Sequence, residues 1–188
     1  PANAKEGDTI LMTKTAGIEG TSILARTFKD KLKTINQKTL KKASEMINQI
    51  SIVKEAEILF NTGKVHAMHD PTEGGIIGGI YEMALASCIG FKLKEEKISV
   101  AEETNAICDS LKVDPTKLMG SGCLLAAVKP DEIESVINEL EKNGLKSTAI
   151  GKFGGKKREV VKVDGTIEEI KPVVIDEIWR LLKNKSIC

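Results

Sequence analysis

The sequence predicts an α+β fold, a mixed, partly antiparallel sheet with helices packed on it. Three observations carry that expectation. Strand-length apolar runs and stretches of helical periodicity follow one another without a strict strand-helix-strand repeat, which argues against a doubly wound parallel sheet. Asp164-Gly165 is a two-residue hairpin signal, and the strands it would join, 158–163 and 166–170, must be antiparallel. No internal repeat or low-complexity segment points to a solenoid or linker. With 188 residues, 41% of them apolar, the chain can bury one sizeable core, and residues 1–188 are expected to form one domain.

The elements follow in order. A Gly7-Asp8 turn leads at once into Thr9-Ile10-Leu11-Met12-Thr13, an apolar run of strand length, an entry that resembles a chain cut at a linker. Gly17 and Gly20 punctuate the passage to Ile18, Ile23, Leu24 and Phe28, which recur at helical spacing. Residues 38–48 and 52–62 form a helix pair, with Ser51 placed to cap the second member and Gly63 to close it. Residues 65–69 read as a short buried strand. Asp70 as N-cap, Pro71 at the first helical position and Glu73 in the first turn then open a long helix to about Ser87. A strand over 89–93, a helix over 100–111 and a capped start at Asp114-Pro115-Thr116 precede the loop Gly120-Ser121-Gly122. The continuous apolar run 123–128 is a buried strand, 131–143 an amphipathic helix closed by Gly144, 147–150 a strand, and 175–182 a final helix.

Composition narrows the function classes. Twenty-eight basic and 27 acidic side chains are interspersed and leave a formal charge of +1, so no global field would hold nucleic acid or an anionic membrane. Nearly every cation is Lys, with Arg only at 26, 158 and 180, and aromatics are too few for base-stacking platforms. The basic stretches 29–42 and 152–158 are therefore solvated faces. No apolar run approaches the ~18 residues of a membrane span, and the N-terminus lacks signal-peptide order, so a cytoplasmic protein is expected. Cysteines at 88, 108, 123 and 188 are spaced wrongly for zinc; the first three sit in apolar settings as core hydrophobes, while Cys188 ends the chain.

The run from His69 to Gly75 is the most informative stretch. A strand end, a helix start and two glycines expose backbone N–H groups and the positive end of a helix dipole, for which a phosphate is the natural guest. A structural alternative stands beside this: Asp70 merely caps, and Gly74, Gly75, Gly78 and Gly79 let the helix approach the sheet. Gly120-Ser121-Gly122 is likewise either a phosphate nest or a tight strand entry. His69 adjoins the turn and is a general acid/base candidate, with orientation by hydrogen bonding as the alternative, whereas His66 reads as a plain strand residue. Glu19, Asp70 and Glu73 are acids that could hold Mg²⁺ beside phosphate.

On these residues the chain resembles the HypE-like branch of the AIR synthase superfamily. Ala67-Met68-His69-Asp70-Pro71-Thr72-Glu73-Gly74-Gly75 is similar to that branch's alanine-methionine-histidine-aspartate-proline-threonine-arginine-glycine-glycine segment. Residues 82–91 resemble its helix and following strand, and Gly7-Asp8 with Gly17 and Gly20 its C-terminal-domain opening. Gly120-Ser121-Gly122-Cys123-Leu124-Leu125 is closer to the loop and strand of selenophosphate and formylglycinamidine synthetases. The resemblance implies an AIR synthase C-terminal-domain-like fold that follows an N-terminal ATP-binding domain, lying outside this chain, and a full-length homodimer. It implies ATP with Mg²⁺ between the domains, contacted by Gly17, Gly20, Thr72, Glu73, Gly74, Gly75, Gly120, Ser121 and Gly122, and no cofactor for this part alone.

His69, Asp70 and Cys188 are the catalytic candidates it implies, with a terminal thiol that accepts a carbamoyl group for ATP-driven dehydration in hydrogenase maturation, and a maturation protein as possible partner. The departures are specific. Glu19 stands where the family has histidine, Glu73 where it has arginine, an acid is missing before Cys123, and Ser186-Ile187-Cys188 lacks the family's proline-arginine. These departures leave two alternatives: a noncatalytic dimerisation or docking module, and an ATP-dependent phosphotransfer or ligase paralogue.

Overall fold

The computed structural model describes residues 1–171 and 175–183. Among them, seven strands form one sheet: β1 (Thr9–Thr13), β2 (Val65–His69), β3 (Phe91–Lys94), β4 (Leu125–Val128), β5 (Ser147–Phe153), β6 (Arg158–Val161) and β7 (Ile167–Glu169). Their order is β2-β4-β1-β5-β3-β6-β7, and every neighbouring pair is antiparallel except β3 with β6. The expected mixed sheet is thus the fold found. The helices are α1 (Ile18–Thr27), α2 (Gln37–Glu45), α3 (Val53–Thr62), α4 (Gly75–Ala86), α5 (Glu102–Leu111), α6 (Ile133–Lys142) and α7 (Glu177–Lys183).

β1 is buried at all five positions because it lies mid-sheet with both faces covered. Its side chains alternate as strand geometry requires. Ile10 and Met12 join the core under α4, with Ile76, Ile77, Ile80 and Met83, while Leu11 joins the opposite core with Leu59 of α3 and Val136 and Leu140 of α6. β4 repeats the division: Leu125 and Ala127 face α4, whereas Ala126 and Val128, with Leu124 just before the strand, face α3 and α6. Each fully buried aliphatic side chain contributes about 1.5–3 kcal/mol. A third cluster joins α1, α2, α5 and α7 through Leu24, Ala43, Ile107, Leu118, Ile178 and Leu181.

α4 is apolar almost all round, which is the pattern of a helix buried on every side. It lies so close to the sheet that a Cβ on Gly79 would stand 2.7 Å from Pro71 Cβ and 3.0 Å from Leu125 Cδ1. No helix among the described residues is long and apolar enough to cross a membrane.

Several local expectations are corrected. Asp70 does not cap α4: residues 70–74 are a loop, and the N-cap is Gly74 in the left-handed region at φ 77°. Ser51 does not cap α3, whose N-cap Ile52 has no side-chain bond; the Ser51 carbonyl instead accepts from Lys14 Nζ. Asp114 does cap, accepting from the Thr116 N–H at 2.9 Å, but the turn it opens is a short 3₁₀ segment rather than an α-helix. β5 runs to Phe153 because it pairs with β1 along one edge and β3 along the other. Cys88 is exposed at a left-handed turn, φ 56°, not a core residue.

Cys108 and Cys123 are buried as expected, and burial pushes both thiols up to about 12. Thiolates are the reactive form, so native chain treated with iodoacetamide at pH 8 should label Cys88 while Cys108 and Cys123 stay unmodified until denaturant is added. Peptide mass mapping of the alkylated chain checks this; labelling of Cys123 at the rate of Cys88 would contradict it.

Candidate functional site

Sheet pairing decides where the glycine-rich loops meet. β1 and β2 flank β4, and both run antiparallel to it. Their C-terminal ends therefore share one sheet end with the N-terminal end of β4: Met12 and His69 are both paired with Leu125. The loop after β1 (residues 14–17), the loop after β2 (residues 70–74) and the loop before β4 (residues 120–124) converge there, although some 50 residues of chain separate each from the next.

The contacts between these loops are short and mostly backbone. Thr72 O accepts from the Gly75 N–H at 3.3 Å and from the Gly120 N–H at 3.1 Å. The Gly20 N–H donates to Met119 O at 3.0 Å, and Thr13 Oγ1 accepts from the Leu124 N–H at 3.0 Å. Leu118 is the hub. A Cβ on Gly20 would meet its side chain at 2.5 Å, and one on Gly75 would meet its carbonyl oxygen at 2.6 Å. Gly120 sits against Pro71 O, 2.9 Å from where a Cβ would be, and Gly122, at φ 105°, sits against Ile50 Cα at 3.1 Å. Gly17 is the left-handed N-cap of α1, at φ 68°. Close approach of three loops is thus one reason for these glycines.

Asp70 is the polar centre of this surface. Its Oδ1 is buried without a hydrogen-bond partner. Burial pushes its carboxyl up from the ordinary value; His69 opposes the shift, Glu19 adds to it, and the Gly122 N–H and Lys14 oppose it. Asp70, Glu19, His69 and the Gly122 turn are therefore electrostatic neighbours. His69 Nε2 lies 2.6 Å from Glu82 Oε2 on α4, so its ring is oriented by that carboxylate. His66, a plain strand residue in the sequence, instead meets buried Asp8 at 2.9 Å through Nδ1. Thr72 and Glu73 are exposed at the loop tip, and Ser121 is buried. No group of three or more His, Cys, Asp or Glu side chains among the described residues is placed to hold a metal, so Glu19, Asp70 and Glu73 do not form the magnesium site considered from the sequence. Cys188 lies outside the described residues.

Two residues that sequence inspection missed support the site. Lys14, left-handed at φ 52°, sends Nζ to Gln49 O at 3.0 Å, Ser51 O at 2.7 Å and buried Glu55 at 2.8 Å, drawing the 49–51 turn over Gly122. Asp176, only 2% exposed, accepts from the Gly74 N–H at 2.9 Å and from the Ile178 N–H at 2.8 Å. A short-range pattern shows neither, because the bonds from Lys14 to the 49–55 segment and from Asp176 to Gly74 join residues far apart in sequence; only the Asp176 bond to the Ile178 N–H, at the start of the expected final helix, is local.

Comparison with known proteins places the chain's family and fold. A putative hydrogenase expression/formation protein of Methanocaldococcus jannaschii is 29% identical over 181 residues, covering 94% of this chain and 47% of that protein. The carbamoyl dehydratase HypE of Bradyrhizobium diazoefficiens is 29% identical over 134 residues, 71% of this chain and 37% of that one. Crystalline E. coli HypE superposes with a TM-score of 0.76 at 21% identity, covering 92% of this chain and 52% of that one. Aquifex aeolicus thiamine monophosphate kinase shares the fold with a TM-score of 0.68 at 16% identity, over 91% of this chain and 54% of that one. The chain therefore spans about half the length of the proteins it matches. The family model for the C-terminal domain of AIR synthase related proteins matches residues 5–164, and the chain belongs to that family.

Proposed function

We propose that this chain is the C-terminal part of a HypE-like, ATP-using protein of hydrogenase maturation, and that its three-loop surface closes a nucleotide site shared with an N-terminal ATP-binding domain. The observation that carries the proposal is Asp70, a carboxylate with an unpartnered buried oxygen at the meeting point of three loops, in a chain whose relatives include proteins named carbamoyl dehydratase HypE. A HypE has also been crystallised in complex with ATP, and another with HypF, which makes nucleotide and a maturation partner natural expectations for the full-length protein.

In this proposal the nucleotide phosphates lie over Ser121, Gly122 and the loop from Thr72 to Gly75, and Gly17 and Gly20 let α1 approach them. Magnesium arrives with the phosphates, since it usually keeps several waters and takes only one or two carboxylates from the protein. Glu19 is the carboxylate that would serve such an ion here, which leaves Asp70 to the proton transfer. Dehydration of a carbamoyl group removes an oxygen, which passes to phosphate, and two N–H protons. Asp70, with its carboxyl raised by burial, is the acceptor for one of those protons, and His69, held by Glu82, orients the loop beside it. Cys188 is the candidate carbamoyl-bearing thiol.

Asp70→Asn separates chemistry from folding. A carboxyl raised in the folded state contributes stability that is complete below its unfolded value of 3.8 and is lost as pH rises through the folded value. Above the folded value the ionised group is therefore a local cost, and there the asparagine variant should be at least as stable as wild type while full-length ATP turnover with a carbamoyl substrate falls by about a hundredfold or more. Urea unfolding and phosphate release measure the two. Full turnover in the variant would remove Asp70 from the mechanism.

A second reading, the docking module without catalysis, draws on one observation. The N–H groups of Gly20, Gly74, Gly75 and Gly120 already donate within the chain, and Glu19 and Glu73 bring negative charge. Calorimetric titration of ATP and Mg²⁺ into the full-length protein and into this chain discriminates. Binding by the full-length protein alone supports the shared site, and binding by neither supports the module.

A further inference from the structure

We propose that Asp176 is a positioning residue that ties the loop 70–75 to the C-terminal helix, so that this loop is ordered only while α7 is docked. The proposal concerns the surface described above and rests on that functional reading only where nucleotide is concerned.

The geometry is specific. Asp176 is 2% exposed, and its two oxygens divide their work: Oδ2 accepts from the Gly74 N–H at 2.9 Å, 102 residues away, and Oδ1 from the Ile178 N–H at 2.8 Å in the first turn of α7. One carboxylate thus holds the N-cap residue of α4 and the start of α7 together. Burial pushes its carboxyl up from the ordinary value, the Ile178 and Gly74 N–H donors oppose that shift, and Glu73 and Glu177 add to it. The rest of α7 is anchored by apolar contact, with Ile178 and Leu181 in the cluster that contains Leu118. Leu118 is also the residue against which Gly20 and Gly75 lie. Two links, one polar and one apolar, therefore run from α7 to the same loops; within the loop, Thr72 and Glu73 are exposed, and buried Pro71 with the Thr72 O to Gly120 N–H bond supplies its remaining anchorage.

Trp179, the chain's single tryptophan, stands on α7 at 44% exposure and reports its docking by emission wavelength. Two variants separate the links. Asp176→Ser keeps a helix-capping oxygen for the Ile178 N–H but is too short to serve Gly74 as well. Asp176→Ala serves neither. In both, deuterium exchange of peptides covering residues 70–77 should accelerate by about tenfold or more, the scale of one charge-assisted hydrogen bond. Trp179 emission should shift to the red in Asp176→Ala, and far-ultraviolet dichroism confirms that the fold persists.

In the full-length protein the KM for ATP should rise with little change in kcat, a split that general destabilisation would not give. Unchanged exchange over 70–77 in Asp176→Ser would overturn the proposal. So would an Asp176→Ala in which α7 opens while that segment keeps its protection. Should the wild-type full-length protein fail to use ATP, the nucleotide proposal fails alone, and the exchange and emission results still decide this one.

Discussion

Gly75→Ala is expected to cost the fold roughly 3–4 kcal/mol, the sum of a left-handed backbone penalty and forced overpacking. At φ 60° an alanine is strained wherever it sits. Here its Cβ would also stand 2.6 Å from Leu118 O and 2.7 Å from Thr116 O, both backbone atoms that cannot step aside. Gly144 supplies the control, since it too is left-handed, at φ 75°, yet nothing lies within 4 Å of its missing Cβ. Gly144→Ala should cost only the backbone share, about 1–2 kcal/mol. Urea unfolding of the two variants side by side measures the difference, which is the energetic weight of close loop approach at the candidate site. Equal losses would mean that the 116–118 segment yields without penalty.

Lys14→Met should destabilise by about 3 kcal/mol or more, because it strands the Glu55 carboxylate, 2% exposed, without its cation. The loss has a second part: Lys14 Nζ also joins Gln49 O and Ser51 O, and with it goes the clamp that seats residues 49–51 on Gly122. Removing both charges is a different experiment. Lys14→Met with Glu55→Leu leaves no orphan ion, so the double variant should recover most of the stability, and the two single losses should be strongly non-additive. Chemical denaturation of the four proteins completes the cycle. Additive losses would show that the pair acts as two independent contacts.

What the sequence conveyed and what it withheld divide along the range of the interactions. Continuous apolar runs placed β1 and β4, and helical periodicity placed α6, within a few residues, because β1 and β4 are buried throughout and α6 buries one face. Asp- and Gly-based signals worked where donor and acceptor are near neighbours, as at Asp114 with Thr116 and at the left-handed closing residue Gly63. They failed at Asp70 and Ser51, where a suitable residue stood at the expected place but the cap was made otherwise. For α4 the acceptor is Asp176, and no window of sequence contains both partners.

Cys88 was misplaced for a related reason: its apolar neighbours suggested a core, but the left-handed turn after α4 points the residue outward. The candidate site was legible as three separate glycine-bearing stretches and a resemblance. Their convergence required the strand order, which follows from the pairing of β4 between β1 and β2.

That strand order also governs how the chain comes to be folded. Thr9 is paired with Val128 on one side and Lys152 on the other, so the most completely buried strand has both partners more than a hundred residues downstream. At synthesis rates of about 5–20 residues per second, β1 leaves the ribosome on the order of ten seconds before β4 can reach it. Throughout that interval an apolar five-residue strand with unsatisfied edges is available to other chains. Closing so large a loop before any pairing energy is gained also places this domain among slow, high-contact-order folders rather than helical bundles of equal size. A nascent-chain binder that covers residues 9–13 until residue 152 has emerged should therefore raise its folding yield.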